Sequence, residues 1–352
     1  MALLFIDGFD HYATADLTAK WSSLGGTVVV SAGNGRHGSN AVRLTTSGAT
    51  LQKACGTANT TVVVGMAVRS PLTQGTNATF LFLRDSAGTR DHLLLTAGSS
   101  GAMVVYRGGN TLTAGSNFSG TVLGTTSSGL SANTYAYVEL QAVLASGTGG
   151  SVTVRLNGVS VLTVTGITTQ NTNGAAGWSG IGLASSVDGS GQYDVDDLYV
   201  LDGSGAAPWN TFLGDCRVDA RYPTGAGATT GWTPSTGANW SCVDETAPNG
   251  DTDYVSAATS GLTDTYVTQD AVVIGAPIYG VQHALSMKKS DTGTCTVAPV
   301  IRVSGVDYPG ADLAPSTAYG YGLQIAQTNP ATAAQWTEAG FNAAEFGMKR
   351  TA

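Results

Sequence analysis

Through its first 200 residues the chain repeats one pattern: short runs of β-branched and apolar residues, each closed by Gly, Asn, Ser or Asp. The runs lie at 25–31 (GGTVVVS), 40–46 (NAVRLTT), 60–70 (TTVVVGMAVRS), 78–85 (ATFLFLRD), 91–98 (DHLLLTAG) and 102–109 (AMVVYRGG). β-Branched and aromatic side chains suit a pleated surface, and the closing residues are those that turn a chain. The pattern therefore predicts strands joined by short loops. In YAYVELQAV, Tyr135, Tyr137, Glu139 and Gln141 alternate with Ala136, Val138, Leu140 and Ala142, which predicts a strand with one polar and one buried face. SVTVRLNGVSVLTV holds Asn157-Gly158, the pair best suited to a two-residue hairpin turn because both positions need positive φ. YDVDDLYVLD closes the series, with Val195, Asp197, Tyr199 and Leu201 expected on one face.

No helical pattern separates these runs, which argues for an antiparallel sandwich over a parallel sheet with crossover helices. The expected organisation is a sandwich over 1–202, a Gly/Ser/Ala/Pro linker at 203–208 and a second β-rich domain over 209–352. In that second part the runs at 265–274, 278–290, 296–305 and 317–327 have strand composition. Only 333–346 offers a short helix, which Thr337 would cap and which would turn Phe341 and Ala344 to the core. The expected class is all-β with a short C-terminal helix.

Composition narrows the partners. Among 352 residues only 11% are charged, and the formal charge is −8, split as −2 over 1–203 and −6 over 204–352. Neutralising phosphates takes a basic face, so neither nucleic acid nor an anionic membrane surface is an expected partner. No run approaches the roughly 20 apolar residues of a membrane span. The opening MALLFIDGFDHY has neither a basic leader nor a cleavage pattern, so no secretory signal is expected. Cys55, Cys216, Cys242 and Cys295 form no metal-ligand spacing and are expected as free thiols, with a Cys242–Cys295 bridge as the alternative.

The order GNGRHGSNAVRL, VVVGMAVRS, YAYVELQAV with GGSVTVRLNGVSV, and YDVDDLYVLD resembles the laminin-G-like, concanavalin A-like jelly rolls over residues 3–202. The opening LLFIDGFDHYATADLTAKWSS, the junction DDLYVLDGSGAAPWNTFLGDCRVDARYPTGAG and the close WTEAGFNAAEFGMKR resemble virion structural proteins of tailed bacteriophages. The resemblance implies a non-enzymatic, tail-associated particle component at a tip, collar or fibre base, with a lectin-like domain touching host-surface glycan. It would be made in the host bacterial cytoplasm and reside in the virion, bound to other tail or capsid subunits. A homo-oligomer is expected, a trimer first. A capsid decoration or cement protein is the alternative, and a carbohydrate-active enzyme a further one.

Candidate chemistry is sparse. Asp194 and Asp196, with Asp188 from the preceding loop, are the candidate Ca²⁺ ligands; the competing reading is a closing strand whose carboxylates are hydrogen-bonded. No other cofactor is implied. Trp178, Tyr106 and Trp240 are candidate sugar-stacking rings, with core packing as the ordinary alternative. Trp209, Phe212, Trp336 and Phe346 are candidate interface anchors. No catalytic residue is expected: Glu139 is the sole glutamate before residue 204, so the paired glutamates of a glycosidase cannot be built in the sandwich. The four histidines lie apart from one another, and GNGRHG lacks the ending of a phosphate loop.

Overall fold

A computed structural model describes residues 2–45, 48–55, 59–73, 78–109, 120–186, 192–273 and 275–352. The chain divides into two compact units, Met1–Phe9 with Trp21–Val218, and Asp10–Lys20 with Asp219–Ala352. Two expectations change. The boundary falls at 218/219, beyond 203–208, because residues 209–218 are tied to the sandwich. An N-terminal excursion also belongs to the second unit, where Tyr12 and Leu17 are buried.

The first unit is a sandwich of two antiparallel sheets. One runs, in spatial order, Val159–Ile167, Gly150–Leu156, Ala136–Val143, Thr61–Arg69, Tyr193–Leu201, Ala41–Leu44 and Val28–Ser31, with Leu3–Asp7 also pairing Tyr193–Leu201. The other runs Gly120–Gly129, Ala102–Gly108, Asp91–Ala97, Ala78–Asp85, Trp178–Ser186, Ala49–Ala54 and Ser23–Gly25. This is the expected jelly-roll class.

Strand alternation sets the core. Val138, Leu140, Val152 and Val154 are buried on one side of the first sheet. Tyr193 meets Phe80 of the other sheet at 5.3 Å between ring centroids, and its hydroxyl donates to Ala78 O and Ala97 O across the sandwich. Neighbouring residues on Tyr193–Leu201, such as Asp194, therefore point away from the core. Asn157 and Gly158 take φ of 50° and 79° in a hairpin pairing Leu156 with Val159, as the dipeptide predicts.

The second unit holds a five-stranded antiparallel sheet, in spatial order Pro223–Thr230, Thr263–Thr268, Glu345–Arg350, Val297–Val303 and Val306–Pro309. A separate ribbon pairs Val281–Met287 with Gly320–Ala326. Its buried residues include Ile301, Trp336, Phe341, Ala344 and Phe346. Helix Glu338–Asn342 begins where expected: the Thr337 hydroxyl accepts from the Gly340 N–H at 3.0 Å, and Phe341 and Ala344 are buried.

Candidate functional site

One cluster of polar side chains in the first unit lies on the outward face of the sheet that carries Tyr193–Leu201. Asp194 pairs in register with Arg43 on one neighbour and Arg69 on the other. Arg43 Nε donates to its Oδ1 at 2.6 Å and Arg69 Nη2 to its Oδ2 at 2.6 Å. The Arg69 guanidinium also lies 4.9 Å from the Tyr135 ring, whose hydroxyl donates to Asn34 O.

Asp196, two residues on, holds the loop that carries GNGRHG. Its Oδ2 accepts from the Arg36 N–H at 2.8 Å and the Ser39 hydroxyl at 3.3 Å, and its Oδ1 accepts from the Asp197 N–H at 2.7 Å. The loop comes close enough that a Cβ on Gly35 would stand 2.4 Å from Asn40 O and 2.8 Å from Asp196 Oδ2, so glycine is required there. Burial pushes the Asp196 carboxyl up to about 6, against the pull of these donors.

A β-bulge then breaks the expected alternation. The register shifts between Asp196 and Tyr199, and Asp197 takes φ of 51°. Tyr199 thus lands on the same outward face as Asp194 and Asp196, above Gly65, where a Cβ would stand 2.2 Å from its ring. Its hydroxyl donates to Glu139 Oε1 at 2.6 Å. Asp197 O accepts from the Tyr137 hydroxyl at 3.0 Å.

This face would be solvated if the sandwich ended at residue 202. Instead residues 209–218 lie along it as a strap. The Gly214 N–H donates to Glu139 Oε1 at 2.8 Å, the Leu213 N–H to the Tyr199 hydroxyl at 3.1 Å, and the Val218 N–H to Asp197 Oδ1 at 2.8 Å. Arg36 reaches Asp215 Oδ2 at 2.7 Å and Cys216 O at 3.2 Å, and the Arg155 guanidinium sits 4.4 Å from the Phe212 ring. Glu139 is 0% exposed as a result. Backbone N–H groups of the strap and side chains of the sheet thus occupy much of the polar face, while Glu139 Oε2 is buried without a hydrogen-bond partner.

The two tyrosines and the cysteine of this face favour hydrogen bonding over proton transfer. Burial, and then the Glu139 carboxylate, push the Tyr199 phenol far above its ordinary range; burial does the same to Tyr137. Both remain donors at neutral pH. Burial also pushes the Cys216 thiol up to about 12, which makes it a poor nucleophile.

The candidate residues of the sequence separate on this structure. Asp194 and Asp196 share a face, but their oxygens are occupied by two guanidiniums, two backbone N–H groups and a hydroxyl. A Ca²⁺ ion needs six to eight oxygens and would have to displace these donors, so the pair does not fit one. Asp188 lies outside the described residues. Among the described residues no three His, Cys, Asp or Glu come together as a metal set.

Trp178 is a core residue, its indole N–H donating to Thr61 O at 2.9 Å, and a fully buried ring offers no face to a sugar. Tyr106 is half-buried against Phe82, Leu94 and Ala184, and Trp240 packs on the Tyr266, Val297 and Met348 cluster. Trp336 and Phe346 are buried in the second unit's core and Trp209 in the first unit, so none of the three is free to anchor a neighbouring subunit. Phe212 is half-buried beneath Arg155. All four cysteines are free thiols, including Cys242 and Cys295. His92 is also structural: Nδ1 accepts from the Asn171 N–H at 3.0 Å, which puts its proton on Nε2 toward Gly177 O at 2.8 Å.

Sequence reasoning missed Arg36, Arg43, Arg69, Tyr137 and Tyr199 as a cluster. A signal was present in the lone arginines of NAVRL and GMAVRS, charges inside or closing apolar runs that need a buried partner.

No family model matches the chain, and no curated protein matches it in sequence. Solved structures do. An endo-β-1,4-glucuronan lyase from the fungus Trichoderma reesei aligns at 14% identity over 51% of this chain and 90% of its own, with a TM-score of 0.41. A marine alginate lyase from Aplysia kurodai aligns at 13% identity over 49% and 86%, with a TM-score of 0.38. Domain 4 of an extracellular arabinanase from Geobacillus stearothermophilus, in complex with arabinotriose, aligns at 19% identity over 50% and 76%, with a TM-score of 0.34.

Proposed function

We propose that the protein is a non-enzymatic structural subunit of a tailed bacteriophage particle, tail-associated and oligomeric, that contacts glycan on the host surface. The observation that carries the non-enzymatic part is the sealed outward face. Glu139, the one glutamate of the sandwich, lies buried under the strap with its Oε1 already accepting from Tyr199 and Gly214. A general acid or base must reach its substrate, and this carboxylate cannot do so while the strap is seated. The assignment to a particle rests on the resemblance of the opening, junction and closing segments to virion structural proteins. The alignments with solved structures carry no weight in the choice between binding and catalysis.

Incubation of the purified chain with neutral and uronate polysaccharides is expected to release neither reducing ends nor ultraviolet-absorbing unsaturated ends. Turnover that Glu139→Gln abolishes in a folded protein would replace this reading with a carbohydrate-active enzyme.

A further inference from the structure

Away from the strap, the second unit holds a cavity of about 320 Å³ lined by Ala15, Asp16, Thr18, Ala19, Pro248, Gly250, Ser286, Tyr319 and Tyr321. Ser286 and Tyr321 face each other in register across the ribbon of Val281–Met287 and Gly320–Ala326. Two residues along each chain, Lys288 and Tyr319 continue the same row, with Lys288 Nζ 4.7 Å from the Tyr319 ring centroid. On the opposite face of the ribbon, the space over Gly322 is filled by Met287 and Leu313.

Both rings are held by their hydroxyls. Tyr319 donates to Gly250 O at 3.0 Å and Asp251 Oδ1 at 2.9 Å, while Lys288 is bonded to Asp251 Oδ2 at 2.6 Å. Tyr321 donates to His11 O at 3.1 Å, and its ring meets the His11 and Tyr12 rings edge to face. Rings fixed in this way lose little freedom when a ligand arrives. Asp16, Thr18 and Ser286 also line the cavity, Asp16 with its Oδ2 accepting from the Ala13 N–H at 3.0 Å.

We propose that this cavity is a binding site for a single neutral sugar residue, such as the terminal unit of a glycan. A pyranose has an apolar C–H face for an aromatic ring and a rim of hydroxyls for the polar groups, and 320 Å³ sits at the small end of ligand pockets. Charge decides between neutral and anionic sugars. Lys288 is neutralised by Asp251, which leaves Asp16 to make the wall negative, so a uronate or sialate carboxylate is repelled. This inference deepens the glycan-contact part of the proposed function and rests on it.

Saturation-transfer NMR on the full chain with methyl α-D-glucoside, methyl α-D-mannoside and methyl β-D-galactoside, against a methyl glucuronide, tests the site. At least one neutral glycoside is expected to show transfer, and the glucuronide none. Tyr319→Ala removes an exposed ring and Ser286→Trp fills the cavity; each is expected to weaken binding about five- to ten-fold, while Tyr106→Ala in the first unit leaves it unchanged. Unchanged melting temperatures establish that the variants fold. Binding that survives both cavity variants, or a preference for the glucuronide, overturns the site while leaving glycan contact standing. Absence of transfer to every glycoside overturns both the site and the glycan contact, with the particle role judged separately.

Discussion

Glu139 is the residue on which the first unit's outward face turns. Replacing it by Ala leaves the Tyr199 hydroxyl and the Gly214 N–H buried without their acceptor, at an expected cost of about 3 kcal/mol, whereas Glu139→Gln keeps an acceptor oxygen and costs about 1 kcal/mol. Chemical denaturation of the two variants checks the difference. His283 gives the second unit a dependence on pH. Its ring packs edge-on to Phe346 at 5.8 Å, its Nδ1 has no hydrogen-bond partner, and burial pushes its pKa down to about 4. A base whose folded pKa lies below its unfolded value stabilises the fold above the unfolded value of about 6.5 and loses that contribution as pH falls toward 4, by up to about 3 kcal/mol. The drop in melting temperature of the second unit between pH 7 and pH 4.5 is therefore expected to shrink in His283→Leu. An undiminished drop would assign the acid sensitivity elsewhere.

At the scale of elements, the strap 209–218 behaves as part of the sandwich. The amides of Leu213, Gly214 and Val218 are expected to exchange slowly with deuterium, and Glu139→Ala is expected to release Gly214 first. Fast exchange at all three in the wild-type chain would remove the strap from the account. Local signals predicted local structure well: the Asn157-Gly158 turn and the Thr337 cap both form where their chemistry places them. The strap was not legible because its partners, Glu139 and Gly214, are 75 residues apart. The bulge at Asp197 reverses the side on which Tyr199 was expected, and one inserted residue is enough to do so when side chains alternate with period two. Strand Pro223–Thr230 escaped for a different reason: PTGAGATT has almost no β-branched or aromatic side chain before its final threonines, and pairing with Thr263–Thr268 makes it a strand. Most of the architecture was thus readable. The bonds that close the outward face were not.

For the whole molecule, the chain passes between its units at 9/10, 20/21 and 218/219. A single cut at 218 therefore leaves 219–352 without Tyr12 and Leu17, two buried side chains of the second unit. That fragment is expected to be soluble and cooperatively folded only when residues 10–20 are supplied as a peptide or a fusion; an unaided, fully cooperative 219–352 would contradict the division. Oligomerisation, if it uses the second unit, has to draw on exposed side chains such as Val267, Val272 and Val306, since Trp336 and Phe346 are consumed internally. The role in a particle is tested most directly by immunoelectron microscopy of purified tailed-phage particles encoding the chain, labelled with antibody against it. Label is expected at one fixed, symmetric position on the tail, in several copies per particle. Purified infectious particles free of the chain would contradict it.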